Sequence, residues 1–303
     1  MKYLLFAIFA LFGQLASAQN FMVATGAEKG STYTQMFNEL KAQCTNPPMQ
    51  AIVTNGSIQN VDLLTSNKAN GAFVQSDMLF YTRSTDPAKV APIKTLVGLH
   101  PEELHFIARS DSYKSGGYGV GKFKFGGTTV SYNTINDLAG KAVGATGGSV
   151  LSGRVVSQVS GLNFAMREYP NNDALKQGLL EGEVDSILVV GGAPHALVAS
   201  LDANYKLLPV PPDAATRLKD IYSPAVLSYS NLGANGVQTV STQALFVTRE
   251  YRSATMLASL AALRRCFTEK LGDIQDALGT HAAWQRIKPG DNGKWQIYDI
   301  PSK

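Results

Sequence analysis

Ala24-Thr25-Gly26-Ala27-Glu28-Lys29-Gly30-Ser31-Thr32-Tyr33 joins a short apolar run at 21–24 to a helical pattern that begins near residue 34. The stretch therefore reads as strand, glycine-bearing turn and helix N-terminus. Unpaired backbone N–H groups and the helix dipole suit such a junction to an anion. Two junctions of the same kind follow, Thr54-Asn55-Gly56-Ser57 and Thr146-Gly147-Gly148-Ser149. One alone has little meaning, because any α/β chain turns before its helices. Three gain meaning if the fold lines one cleft with them.

Working outward, the chain alternates strand and helix. Residues 49–54 form a strand after Asn46-Pro47-Pro48 ends the first helix. Ser57 is placed to cap a helix over 58–66, and 72–75 is a third short strand with a helix around 78–82. This βαβαβ order predicts a parallel sheet with crossover helices. Ligands in such sheets bind beyond the carboxyl ends of the strands, here Thr25, Thr54-Asn55 and Gln75-Ser76-Asp77. Strands are expected at 93–99 and 104–109, on either side of a turn at His100-Pro101. A glycine-rich excursion at 115–127, with interleaved aromatics and lysines, reads as a hairpin or solvated loop.

The pattern then restarts. A short helix at 135–138 precedes a strand at 141–145, a helix at 149–160, a strand at 164–169 and a helix at 172–182. A buried strand at 186–190 runs into Gly191-Gly192-Ala193-Pro194, which opens a helix over 194–201, and 205–210 is the last strand of this unit. A long strand at 237–248 returns toward the first unit. Leu260, Leu263, Phe267, Leu271 and Ile274, spaced three to four apart, mark a long amphipathic helix. The tail after Trp284 reads as polar and irregular. The expectation is a two-lobed α/β protein, each lobe a largely parallel sheet flanked by helices, with a hinge and a ligand cleft between them. The first lobe takes residues 19–110 and 236–303, and the second, inserted, takes 111–235.

The first residues bear on compartment. Lys2, an apolar core at 3–12 and Ala16-Ser17-Ala18 match a secretory leader cleaved after Ala18. A membrane anchor is the competing reading, but the apolar run is short for a bilayer. The remaining chain, about 285 residues, can bury a large core. The 27 Lys and Arg of the full sequence, against 23 Asp and Glu, are dispersed, without the basic stripe of a nucleic-acid binder. The two cysteines, Cys44 and Cys266, are either a disulfide or two buried thiols; sequence leaves both open.

With these stretches in hand, the chain resembles the TAXI solute receptors, the extracytoplasmic binding subunits associated with TRAP transporters. The likeness is carried by ATGAEKGSTY at 24–33, NGSIQNVDLLTSNKANGAFVQSD at 55–77, LVGLHPEELHFIARSD at 96–111, INDLAGKAVGATGGSVLSGRVV at 135–156 and LLEGEVDSILVVGGAP at 179–194. It implies a periplasmic-binding-protein fold that closes on a small organic anion, such as glutamate or a dicarboxylate, and delivers it to a TRAP-type permease. It implies no cofactor, no metal and no catalysis, and a monomer is expected. Carried residue by residue, the ligand contacts would be Thr25, Gly30, Ser31, Thr32 and Tyr33; Asn55, Gly56, Ser57 and Asn60; Gln75, Ser76 and Asp77; Thr146, Gly147, Gly148, Ser149 and Val150; and Gly191 and Gly192. Glu28-Lys29 departs from the plainer loop of the family: Lys29 either pairs a ligand carboxylate or stays solvated beside Glu28.

Enzymatic readings fail on particular residues. Gly121-Lys122 is followed by Phe123 where a P-loop needs a hydroxyl. In Gly147–Leu151, Leu151 stands where a nucleophile elbow needs glycine. His100, Glu102, Glu103 and His105 resemble a metal or acid–base cluster, but strand alternation sends neighbours to opposite faces, and His105 fits the hinge or core better. His195 and His281 have no evident partner in the sequence. A sensor of the same fold without a transporter, and an exported hydrolase, are the alternatives to a transport receptor.

Overall fold

The computed structural model describes residues 20–28, 30–115, 118–120, 123–126 and 128–300. The expected leader, Lys29 and Gly121-Lys122 lie outside them.

Strand β1 (Phe21–Ala24) leads to α1 (Thr32–Gln43), whose Tyr33, Met36, Phe37 and Leu40 recur at helical spacing and are all buried. β2 (Met49–Ile52), α2 (Ser57–Thr65), β3 (Gly71–Gln75), α3 (Ser76–Thr85) and a single turn, α4 (Pro87–Val90), complete the first unit. β4 (Ile93–Arg109) then runs for 17 residues without a break. The expected turn at His100-Pro101 is absent. Pro101 pairs with Gln243 where the register shifts, and a strand tolerates the missing N–H at such an irregularity.

The glycine-rich excursion is a nested ribbon. β5 (Tyr113–Ser115) pairs with β8 (Thr128–Val130), and β6 (Tyr118–Val120) pairs with β7 (Phe123–Phe125), both antiparallel. A 3-10 turn at Ile135–Leu138 precedes β9 (Ala142–Thr146), α5 (Gly148–Ser160), β10 (Ala165–Tyr169), α6 (Asn172–Glu181) and β11 (Ser186–Gly191). α7 (Ala196–Ala199), β12 (Tyr205–Leu207) and α8 (Pro212–Leu218) follow. β13 (Ser223–Tyr229) escapes the sequence reading, because Pro224 and a mostly exposed face hide an edge strand. β14 (Ala234–Arg249), α9 (Ala254–Asp276) and a 3-10 turn at Ala282–Arg286 close the chain.

One sheet runs β10-β9-β11-β4-β14-β3-β1-β2, with β12 added to β4 and β13 to β14. Its two ends repeat one design. β2, β1 and β3 are parallel neighbours, and β3 pairs antiparallel with β14. Likewise β10, β9 and β11 are parallel, and β11 pairs antiparallel with β4. The long strands pair with each other from Ile93↔Arg249 to Glu103↔Ser241, so each belongs to both halves. Two similar α/β lobes joined by two crossing strands make the two-lobed periplasmic-binding-protein fold.

The tail is less loose than its composition implies. Trp284, Trp295 and Tyr298 are buried, and Trp295 meets Phe80 of α3 edge-on with ring centroids 5.3 Å apart. Cys44, at the end of α1, is disulfide-bonded to Cys266 of α9 across a sequence separation of 222. A closure of that length restricts the unfolded chain by about 3–5 kcal/mol. Replacing both cysteines with alanine should lower the thermal midpoint by roughly 10 °C, read by calorimetry; an unchanged midpoint would show that the bond adds nothing.

Candidate functional site

The carboxyl ends of β1, β2 and β3 are fastened by side chains at the junctions themselves. Asn60 of α2 donates its amide to Thr25 O and Phe73 O, both at 2.6 Å, and accepts from the Thr54 hydroxyl at 2.6 Å. Thr25 donates to Ile52 O at 3.2 Å, and Ser57 Oγ accepts from Gln75 N at 3.1 Å. Asn60 and Thr25 are fully buried. Sequence reasoning placed both against a ligand, but their polar atoms hold the strand ends together. Ser76, also fully buried, meets the Thr242 hydroxyl at 3.0 Å and accepts from Gln243 N at 3.2 Å. Asp77 N donates to Thr242 Oγ1 at 3.2 Å, which ties the start of α3 to β14.

Inside this frame a second set converges on Glu102, midway along β4. Its Oε2 accepts from Gln75 Nε2 at 2.8 Å and from the Tyr33 hydroxyl at 3.4 Å, and its Oε1 lies 3.3 Å from His100 Nε2. Burial, then the nearby Glu102 and Asp77 carboxyls, pushes the Tyr33 hydroxyl well above its usual range, so it stays protonated and donates. Ser57 also reaches Tyr33. The second lobe closes over this group. A methyl added at Gly148 would sit 2.6 Å from Gln75 Oε1, so α5 begins directly against the glutamine. A methyl at Gly192 would lie 3.3 Å from Arg286 Nη1 and 3.8 Å from His100 Cδ2. Both glycines permit close approach of backbone to the site.

Glu103, the next residue, points the other way, as the pleat requires. It accepts from Arg286 through both guanidinium nitrogens and from Ala193 N at 3.0 Å. Among the described residues, no lysine or arginine lies within ion-pair distance of Glu102, and no group of three His, Cys, Asp or Glu is arranged to hold a metal ion.

The N-termini facing this region share one trait. α1, α2 and α5 begin at Ser31, Gly56 and Gly147 without a side-chain cap. α3 and α8 also start without a side-chain cap, while Asp86, Asn171, His195 and Ser253 cap α4, α6, α7 and α9 with their side chains. An uncapped start leaves its first N–H groups open to an outside acceptor.

Of the expected contacts, Tyr33, Ser57, Gln75, Gly148 and Gly192 therefore come together. Ser149 is buried and accepts from Val190 N at 3.0 Å, and Val150 is buried beside it. Gly191 packs on the His195 ring, while Ser31, Thr32 and Gly56 are half-buried at the junctions. Gly30, Asn55 and Gly147 are exposed, and Thr146 is turned to Asn172 at 3.3 Å. Glu102, His100 and Arg286 were not expected as contacts. The sequence singled out the first two only within the His100, Glu102, Glu103 and His105 group, weighed as a metal or acid–base cluster, and Arg286 had no signal.

His105, expected at the hinge or in the core, packs between β11 and β13. It is fully buried, with one ring nitrogen 2.8 Å from the Tyr229 hydroxyl and the other 3.1 Å from Val189 O. Burial, then His195 nearby, lowers it from its ordinary 6.5 to about 4.

Two crossing strands, paired lobes and a buried polar group between them define the class, a two-lobed binding-protein scaffold. Residues 23–260 match the NMT1-like family, and the chain belongs to it. Among solved structures, it is similar to a protein from Archaeoglobus fulgidus at 12% identity, covering 92% of this chain and 86% of that one, with a TM-score of 0.52. It is also similar to a TctC solute-binding protein from Polaromonas (12% identity, 88% and 86% covered, TM-score 0.47). A third is a periplasmic binding protein of an arginine transport system from Legionella pneumophila (13% identity, 84% and 94% covered, TM-score 0.45). At these identities the likeness is one of fold.

His105 gives a pH signature. The unfolded chain takes up a proton near pH 6.5 and the folded chain only near 4, so stability falls as pH drops through that window. The loss at pH 4 should be about 3 kcal/mol. Urea unfolding at pH 7 and pH 4 should show it for the natural chain, and His105→Gln should flatten the difference; equal slopes for both would remove His105 as the cause.

Proposed function

We propose that this chain is an extracytoplasmic solute-binding receptor that closes its lobes on a small amino acid of the glutamate type and hands it to a TRAP-type membrane permease. In this reading the leader is cleaved after Ala18, the protein works in the periplasm as a non-catalytic monomer, residues 19–110 and 236–303 form one lobe, and 111–235 form the other. The observation that carries it is the pairing of opposite chemistries between the lobes. Uncapped starts of α1, α2 and α5 offer N–H donors to carboxylates, while Glu102 offers a buried carboxylate that, among the described residues, meets His100 but no lysine or arginine.

Glu102 chooses within the ligand class. A plain dicarboxylate would bring a like charge toward it, which costs free energy at low dielectric. An α-ammonium would complete it with a charge-assisted hydrogen bond. The backbone N–H groups of Ser31, Thr32, Gly56, Ser57, Gly148, Ser149 and Gly192 then serve the carboxylates, and Tyr33 and Gln75 orient Glu102. Asn60, Thr25 and Ser76 act behind them.

Calorimetric titration with L-glutamate, 2-oxoglutarate and succinate tests this. Glutamate should bind more tightly than 2-oxoglutarate, which has the same carboxylates and no ammonium. Glu102→Gln should weaken glutamate at least tenfold, the value of one charge-assisted bond, and narrow the gap to 2-oxoglutarate. Equal binding of the two by the natural chain would sink the ammonium reading, and heat from none of the three would sink the ligand class.

A further inference from the structure

Asp77 is the first acidic residue of α3, two positions after Gln75, and it is fully buried. Its Oδ2 accepts two hydroxyls from residues of the other α/β unit: Ser152 of α5 at 2.6 Å and Tyr222, between α8 and β13, at 2.9 Å. Tyr222 is also held at its other end, because Lys294 of the tail donates to Tyr222 O at 2.6 Å and to Lys219 O. The first turn of α3 thus meets the first two turns of α5 twice, Gln75 against Gly148 and Asp77 against Ser152. The spacings match: two residues along the β3–α3 bend face four along α5, one helical turn.

We infer that Asp77, Ser152 and Tyr222 form the latch that holds the lobes closed, and that it is coupled to the ligand site through Gln75 and the start of α5. The inference rests on the two-lobed receptor reading and adds the element that sets its closed state. Gln75 touches Glu102 directly, so a ligand that fixes Glu102 and Gln75 also fixes the turn that presents Asp77 to α5. Conversely, separation of α3 from α5 strips a buried carboxyl of both hydroxyl donors, which is costly while it stays out of water. The latch acts on the open–closed equilibrium through Oδ2, which the two hydroxyls occupy, while Oδ1 is buried and, among the described residues, without a hydrogen-bond partner.

The test uses ligand-free protein, so it does not depend on which solute binds. Ser152→Ala, Tyr222→Phe and the double variant remove hydroxyls while leaving the core nearly full. Small-angle scattering should show a larger radius of gyration for the double variant. Amide exchange should rise about tenfold in the first turns of α3 and α5, the factor expected for about one hydrogen bond. Amides of α9 should keep their protection. An unchanged radius and exchange in the double variant overturns the latch. So does a loss of protection that spreads equally through α9, because that is general destabilisation. If L-glutamate fails to bind the natural chain while the double variant still opens, the ligand reading fails and the latch stands.

Discussion

Everything in the molecule depends on the antiparallel pairing of β4 with β14. These strands, 17 and 16 residues long, link the two repeated halves: β4 pairs with β11 of one, β14 pairs with β3 of the other, and they pair with each other. Their pleat assigns each side chain of the segment from His100 to His105 to a face. His100 and Glu102 turn to Tyr33 and Gln75, while Glu103 turns to Arg286 and Ala193. A slip of one residue would exchange those faces. It would turn Glu102 toward the Arg286 face and bring Glu103 to the face of Tyr33 and Gln75, shifting the site carboxylate along the strand. Register in this pair is therefore a chemical specification of the site as much as a structural one.

The second requirement is that strand ends stay fixed while helix starts stay open. Buried backbone groups need partners, and at a helix start a side-chain cap can supply them. At the first two junctions the polar side chains serve the strands instead. Asn60 and Thr54 tie β1, β2 and β3 together, and Ser57 takes the N–H of Gln75. In the second unit Ser149 takes the N–H of Val190 from β11 in the same manner. A ligand that approaches α2 or α5 meets donors whose positions are set by side chains it does not touch.

How much of this could be read from the chain follows from the range of each signal. Local signals served well: the three glycine-bearing junctions, the βαβ alternation, the long amphipathic helix and the return of the chain at 237–248 all have counterparts in the fold. Proline misled twice, at Pro101 inside a continuous strand and at Pro224 in an edge strand, because its tolerance depends on which side of the ladder needs an N–H. The buried tail failed for another reason: Trp295 and Tyr298 are isolated aromatics in a polar segment, and only their partners on α3 and β4 reveal them as core. Asn60 looked like a ligand contact since its helix starts at a junction. Its inward direction is a tertiary fact. Glu102 was visible only as one of four polar residues in a strand, and nothing local distinguishes a carboxylate facing a cleft from one facing an arginine.

The distribution of the core limits how such a molecule can open. One apolar cluster lies within the first unit and its capping helix, between α1 and α9, and another within the second, around α6 and β11. The third crosses between them, with Leu79 and Phe80 of α3, Val150 and Leu151 of α5, Leu218 of α8 and Trp295 of the tail in one continuous body. Separating that body would expose large side chains at about 25 cal/mol for each Å² uncovered, whereas the contacts of Ala193 with Glu103 and Arg286 are polar ones that water can replace. Opening is therefore easiest as a rotation that parts the polar side and pivots on the apolar one. Asp77 sits where that pivot meets the ligand region, buried, raised above the usual carboxyl range by its burial, and stabilised as an acceptor by Ser152 and Tyr222. A polar latch embedded at the edge of a hydrophobic pivot has the geometry to convert a small rotation into the loss of two well-formed hydrogen bonds, which makes the closed state distinct from its neighbours instead of one point on a continuum.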